Sequence, residues 1–189
     1  MTQEWRVSYP RCESCDLKFE RLWTSQKLEG YRCWILFKYN DFFKSLLYRY
    51  KGLGERALSL SFLQGVTMWF WIHFENAVII LPPAHLMDDE RRGFSPLKEI
   101  FKRVGPCYQP FFKQGDYKQS DQSFPKRKDI GYHLRVEDSH LKTLKSHQKL
   151  VCVDDVLTSG ETMKWMFQQL KHRGFKNLHG FVLAHPTKA

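Results

Sequence analysis

One segment restricts the possible folds of this chain more than any other: Leu150 to Thr162, LVCVDDVLTSGET. It starts as a short apolar run, passes through two consecutive acids, crosses a small hydroxyl-bearing loop and enters an amphipathic helix. Continuous apolar runs of this kind mark strands covered on both faces of a sheet. Open α/β sheets collect ligands at the carboxyl ends of such strands, where this loop falls. The hydroxyls of Thr158, Ser159 and Thr162, together with the backbone N–H groups at the helix start, can surround an anion. Asp154 and Asp155 sit at the strand end, where acceptor-only carboxylates can hold sugar hydroxyls. Each fragment alone also reads as an ordinary turn or helix entry. Strand, acid pair, Gly160 and Thr162 together point to a phosphorylated sugar.

The surrounding sequence sets the class. The 189 residues suffice for one domain with a real core. The strongest apolar stretch, Val66 to Phe74, is far shorter than the roughly 20 residues of a membrane span. The N-terminal residues lack a signal-peptide core, so a cytoplasmic location is expected. A net charge of +10 favours polyanionic partners, or serves solubility and one phosphorylated ligand. The five cysteines are an odd count, which argues against a disulfide framework.

Residues 1–34 read as an N-terminal appendage and 35–189 as the body. Cys12 and Cys15 have the spacing of a zinc knuckle, with Cys33 as a nearby third thiol. A structural zinc site needs four ligands, and the first histidine is His73. Two readings stand: a Zn²⁺ site on Cys12, Cys15 and Cys33, or a remnant knuckle with free thiols. In the body, the spacing predicts helices over 41–51, 55–73, 95–104 and 161–172, and strands over 77–81, 150–153 and 178–184. Ser95-Pro96 fits a helix start, and Gly174 a helix stop. Lys113 to Asp129 is polar and aperiodic, and is expected to be a long exposed loop. Trp69, Phe70 and Trp71 could stack on a base, but their helical spacing favours core packing.

The block at 150–162 resembles the phosphoribosyl-pyrophosphate (PRPP) loop of type I phosphoribosyltransferases, with Ser159 in place of a threonine. Further segments are similar to the competence protein F (ComF) family, which includes ComFC and GntX-like proteins. They are Ile79-Ile80-Leu81-Pro82-Pro83, Arg91-Arg92-Gly93-Phe94, Gln119-Ser120, Lys126-Arg127-Lys128 and the turn at Lys51-Gly52. Ser95-Pro96 stands where that family has Asn-Gln. The resemblance implies an α/β fold: a type I phosphoribosyltransferase-like parallel sheet flanked by helices, with a partial zinc-ribbon-like appendage. It assigns Val156, Leu157, Thr158, Ser159, Gly160, Glu161 and Thr162 to the 5-phosphate, and Asp154 and Asp155 to the ribose hydroxyls as catalytic residues. It implies Mg²⁺ bound with PRPP or ribose 5-phosphate. Lys51, Arg91, Arg92 and Arg127 are candidates for the pyrophosphate. Implied partners are single-stranded DNA and the natural-competence machinery, whether the protein transfers a ribosyl phosphate to an unknown acceptor or only binds.

Overall fold

A computed structural model describes residues 11–84, 86–113 and 134–186. Its centre is a six-stranded sheet in the order β1-β2-β8-β7-β3-β4. These strands are β1 Arg21–Leu28, β2 Tyr31–Lys38, β3 Val78–Ile80, β4 Cys107–Tyr108, β7 Leu150–Val156 and β8 Leu178–His185. All neighbours run parallel except β1, which pairs antiparallel with β2. A separate two-stranded ribbon joins β5, Phe111–Lys113, to β6, Leu134–Val136.

Helices cover both faces, which is why the central strands are almost wholly apolar. On one face, α2 (Asp41–Gly52), α3 (Ser59–Phe62), α4 (Thr67–His73) and α6 (Pro96–Phe101) bury Phe43, Tyr50, Phe62, Phe70 and Phe101 against Val151, Val153, Phe181 and Leu183. On the other, α8 (Glu161–His172) packs Met163, Met166, Phe167 and Leu170 against Cys152, Val182 and Ile80, with Leu141 of α7 (Asp138–Lys142) beside it. Helix α2 begins where the Asn40 side chain accepts from the Phe43 N–H at 2.9 Å. Its end is fixed by the neighbouring helix start: the Tyr50 hydroxyl, buried, donates to the Pro96 carbonyl at 2.7 Å. Among the described residues no helix is long and apolar enough to cross a membrane.

The parallel sheet, the helix over 161–172 and its stop at Gly174, left-handed at φ +87°, agree with the sequence. The single helix expected over 55–73 is instead a 3-10 turn (Arg56–Leu58), α3 and α4. Gly65, at φ +75°, breaks the helical path between α3 and α4. Phe70 is buried in the core, Trp69 packs against it, and Trp71 is exposed. The boundary expected after residue 34 falls inside β2, whose Cys33 to Lys38 register with β8 inside the main sheet. Residues 86–92 form α5 (Leu86–Arg92). The remaining short helix, α1, spans Glu13–Asp16. The loop expected over 113–129, with Gln119, Ser120 and Arg127, lies outside the described residues apart from Lys113 at the end of β5.

Candidate functional site

Strand β7 ends by carrying Asp154 and Asp155 to the carboxyl edge of the sheet, next to a cavity of about 300 Å³. Several segments wall it, three of them beside the acids. The end of α2 supplies Lys51, α5 supplies Asp88, Asp89 and Arg92, and the Leu81–Ala84 segment after β3 forms a wall with Pro82 and Pro83. The Gln109 side-chain amide fixes that wall, donating to the Pro82 carbonyl at 2.8 Å and to the Phe111 carbonyl at 2.6 Å.

The two acids have different surroundings. Lys51 Nζ donates to Asp155 Oδ2 at 2.6 Å, with both side chains more than two-thirds buried. Asp154 Oδ1 accepts from the Asp155 backbone N–H at 2.9 Å. Burial, reinforced by the charge of Asp155 beside it, pushes the Asp154 carboxyl well above the usual carboxylate range. Burial acts in the same direction on Asp155, but the Lys51 ammonium and the hydrogen bonds outweigh it and hold that carboxyl below its ordinary value. Near neutral pH the pair therefore presents one ionised acceptor and one group that retains its proton more readily. That pattern suits a sugar diol, whose hydroxyls both donate and accept.

The loop beyond the acids turns as the sequence demands. The Leu157 N–H donates to the Ala184 carbonyl at 2.9 Å and its side chain is buried, so the strand edge anchors the loop. Val156 completes the strand opposite Ala184. Thr158 and Ser159 are exposed. Gly160 caps α8 in the left-handed region at φ +74°, and a Cβ there would meet Leu157 and Leu28 at 3.5 Å. Glu161 turns outward to Lys164 at 2.9 Å, away from any anion held by the loop. Thr162 lines the cavity.

The structure gathers Lys51, Arg92, Asp154, Asp155 and Thr162 around one cavity. Arg91 instead points to solvent, 78% exposed and paired with Asp88 at 3.5 Å. Arg92 approaches Asp89 at 3.7 Å and donates through Nε to the Lys51 carbonyl at 3.1 Å. Asp88, Asp89 and Gln109 also line the cavity, and sequence reasoning passed over them; Lys113, the first residue of the expected loop, joins them. The Asp-Asp just ahead of Arg91-Arg92 was the one available signal.

Adjacent carboxylates offer hard oxygen donors that suit Mg²⁺. Among the described residues no three His, Cys, Asp or Glu side chains group tightly enough to cage a metal. A cation here would complete its shell with ligand oxygens and water, as Mg²⁺ prefers. The expected thiol set is not brought together among those residues either. Cys33 is fully buried in β2, its thiol pushed up to about 12 by burial and the nearby Asp154. Cys12 is exposed, drawn down to about 7 by the Ser14 hydroxyl and by Cys15.

The fold is that of an α/β protein of phosphoribosyltransferase-like architecture. The chain is 31% identical over 99 residues to an adenine phosphoribosyltransferase from Carboxydothermus hydrogenoformans. The similarity covers 52% of this chain and 57% of that relative, so the chain spans little more than half the length of the protein it matches. No family model matches the chain.

Proposed function

We propose that the protein binds PRPP or ribose 5-phosphate with Mg²⁺ and is a phosphoribosyltransferase-like member of the ComF group acting in natural competence. The observation that carries this reading is the asymmetric Asp154–Asp155 pair beside the Gly160-capped loop, facing one cavity. The 5-phosphate would lie in the loop of Thr158, Ser159, Gly160, Glu161 and Thr162, taking backbone N–H groups at the start of α8. Asp154 and Asp155 would hold the 2- and 3-hydroxyls. As the anomeric carbon gains positive charge, the nearby carboxylate stabilises it. Mg²⁺ held at the two acids would neutralise pyrophosphate oxygens. Lys51 and Arg92 would assist, each by loosening its present partner.

Calorimetric titration of Mg²⁺–PRPP, and pyrophosphate release with a panel of bases, amines and nucleic acids, test the reading. Binding that fails in Asp155→Asn, and turnover with at least one acceptor, support a transferase. No PRPP binding by the wild type would end the proposal.

The net charge of +10 supports a second reading: a non-catalytic factor that binds single-stranded DNA or senses a sugar phosphate during DNA uptake. It predicts PRPP binding without turnover, and single-stranded DNA affinity that falls steeply as salt is raised. DNA binding absent at low salt, or indifferent to salt, would refute it.

A further inference from the structure

A second hollow, of about 370 Å³, lies on the outer side of α2 and is lined in part by Tyr39, Lys44, Tyr48, Lys51, Gly52 and Arg92. Lys51 and Arg92 line this hollow and the acid-pair cavity alike, so the two adjoin. Their electrostatics differ. The acid-pair cavity carries Asp88, Asp89, Asp154 and Asp155 against its cations. Among the described residues no carboxylate lines the second hollow. Lys44, Tyr48 and Lys51 follow one another along one face of α2 at helical spacing. Among the described residues Lys44 has no ion-pair partner, whereas Lys51 and Arg92 are each tied to an aspartate of the neighbouring cavity.

The helix end would ordinarily repel an anion through its free carbonyls. Here the Lys51 carbonyl is occupied by Arg92 Nε at 3.1 Å, which also brings the guanidinium to the rim. Tyr48 supplies the second chemistry. Its side chain is largely exposed, at 64%, and its ring lies over Gly52 so closely that a Cβ there would come within 3.1 Å of two ring carbons. The glycine lets the ring lie close against the helix end while the side chain stays largely exposed.

We propose that this hollow is a nucleotide site: the phosphate sits among Lys44, Lys51 and Arg92, and the base stacks on Tyr48. Three cations line a hollow that has no carboxylate in its described lining; Lys44 meets a phosphoryl group directly and Lys51 and Arg92 do so by loosening their aspartates, while a largely exposed aromatic ring selects a flat ring. The ligand is either a free mononucleotide or one unit of a single-stranded nucleic acid.

The test is cross-linking by 8-azido-AMP to the full chain, with labelled peptides identified by mass spectrometry. The wild type is expected to label the peptide that carries Tyr48. Lys44→Ala should raise the half-saturating concentration at that peptide about tenfold, the usual worth of a charge-assisted contact. Tyr48→Ala should raise it by a similar factor, since stacking one base contributes comparably, while Tyr48→Phe stays within about twofold. PRPP titration of the same variants reads the acid-pair cavity separately, so failure of either site is seen by itself. Labelling confined to the acid-pair cavity, or unmoved by Lys44→Ala, overturns the proposal. Weakening by Lys44→Ala with no effect of Tyr48→Ala also overturns it, because it leaves an anion site with no base contact. Competition distinguishes the sources: an oligothymidine that displaces the probe no better than AMP, nucleotide for nucleotide, identifies the free nucleotide, and one far tighter identifies the polymer. Inorganic phosphate should displace the probe only weakly, and displacement as strong as by AMP would refute base recognition.

Discussion

Gly180→Ala probes the closest approach in the sheet. Gly180 in β8 lies opposite Cys33 in β2. An added Cβ would sit 2.7 Å from Cys33 Sγ, 2.9 Å from its Cβ and 3.2 Å from its Cα. A rotamer change could move the sulphur away, but not the Cβ or Cα, so the two strands must part. Both neighbourhoods are fully packed, and overfilling such a core costs about 1–3 kcal/mol. At about 2–4 °C per kcal/mol for a domain of this size, the melting temperature should fall by about 2–12 °C. Urea unfolding followed by circular dichroism gives the free energy directly. The double variant Cys33→Gly/Gly180→Ala removes the CH2–SH group from one strand and adds a methyl on the other, so the clash is gone. It should lose less than the sum of the single variants, with a coupling of about 0.5 kcal/mol or more. Gly180→Ala as stable as the wild type, or strict additivity in the double variant, would refute the steric account.

Three further outcomes follow from the site. Asp154 has a raised carboxyl, so its stabilising contribution is complete below about pH 4, its unfolded range, and is lost as pH rises towards the folded value. Asp154→Asn should therefore lose less stability than the wild type between pH 4 and 8, and parallel urea midpoints across that range would contradict this. Asp155 has the opposite sign: its contribution is present above that range and is lost as pH falls through the lowered folded value. Lys51→Met, which strands Asp155 without its counter-ion, should cost about 1–3 kcal/mol at pH 7 and much less at pH 3, and an equal loss at both pH values would be inconsistent. Gly160→Ala places a side chain at φ +74° and should cost about 1–2 kcal/mol, with Gly160→Asn milder because Asn tolerates that region; equal unfolding energies for the two would argue against backbone strain.

The elements read most securely from sequence were those with a physical pattern longer than their uncertainty. β7, α8 and β8 combine apolar runs with a helical face and a glycine stop, and the acid pair occurs where the strand ends. β2 carried the same signal, since Cys33 to Phe37 is a continuous apolar run, yet the boundary after residue 34, suggested by the nearby Cys12 and Cys15, cut through it. β1 is exposed along almost its whole length, so no alternation announces it. β4, β5 and β6 span two or three residues each and exist because partners are nearby, which no local window records. Within the site, Asp154, Asp155 and Thr162 were legible from one block of sequence. Gln109 reaches the cavity through tertiary placement alone, and Asp88 and Asp89 offered only their nearness to Arg91-Arg92.

The central strand β8 joins partners from distant parts of the chain: β7 just before it, and β2 about 150 residues earlier. The β1–β2 hairpin is local and can zip up within microseconds, but its parallel edge stays without a mate until residues 178–185 have been made. On the ribosome, the hairpin would wait through most of elongation with Cys33 and Ile35 unburied. Closing so long a loop makes late docking of the hairpin the natural bottleneck in refolding, and leaves nascent chains exposed to chaperones, or to pairing with one another, for that interval.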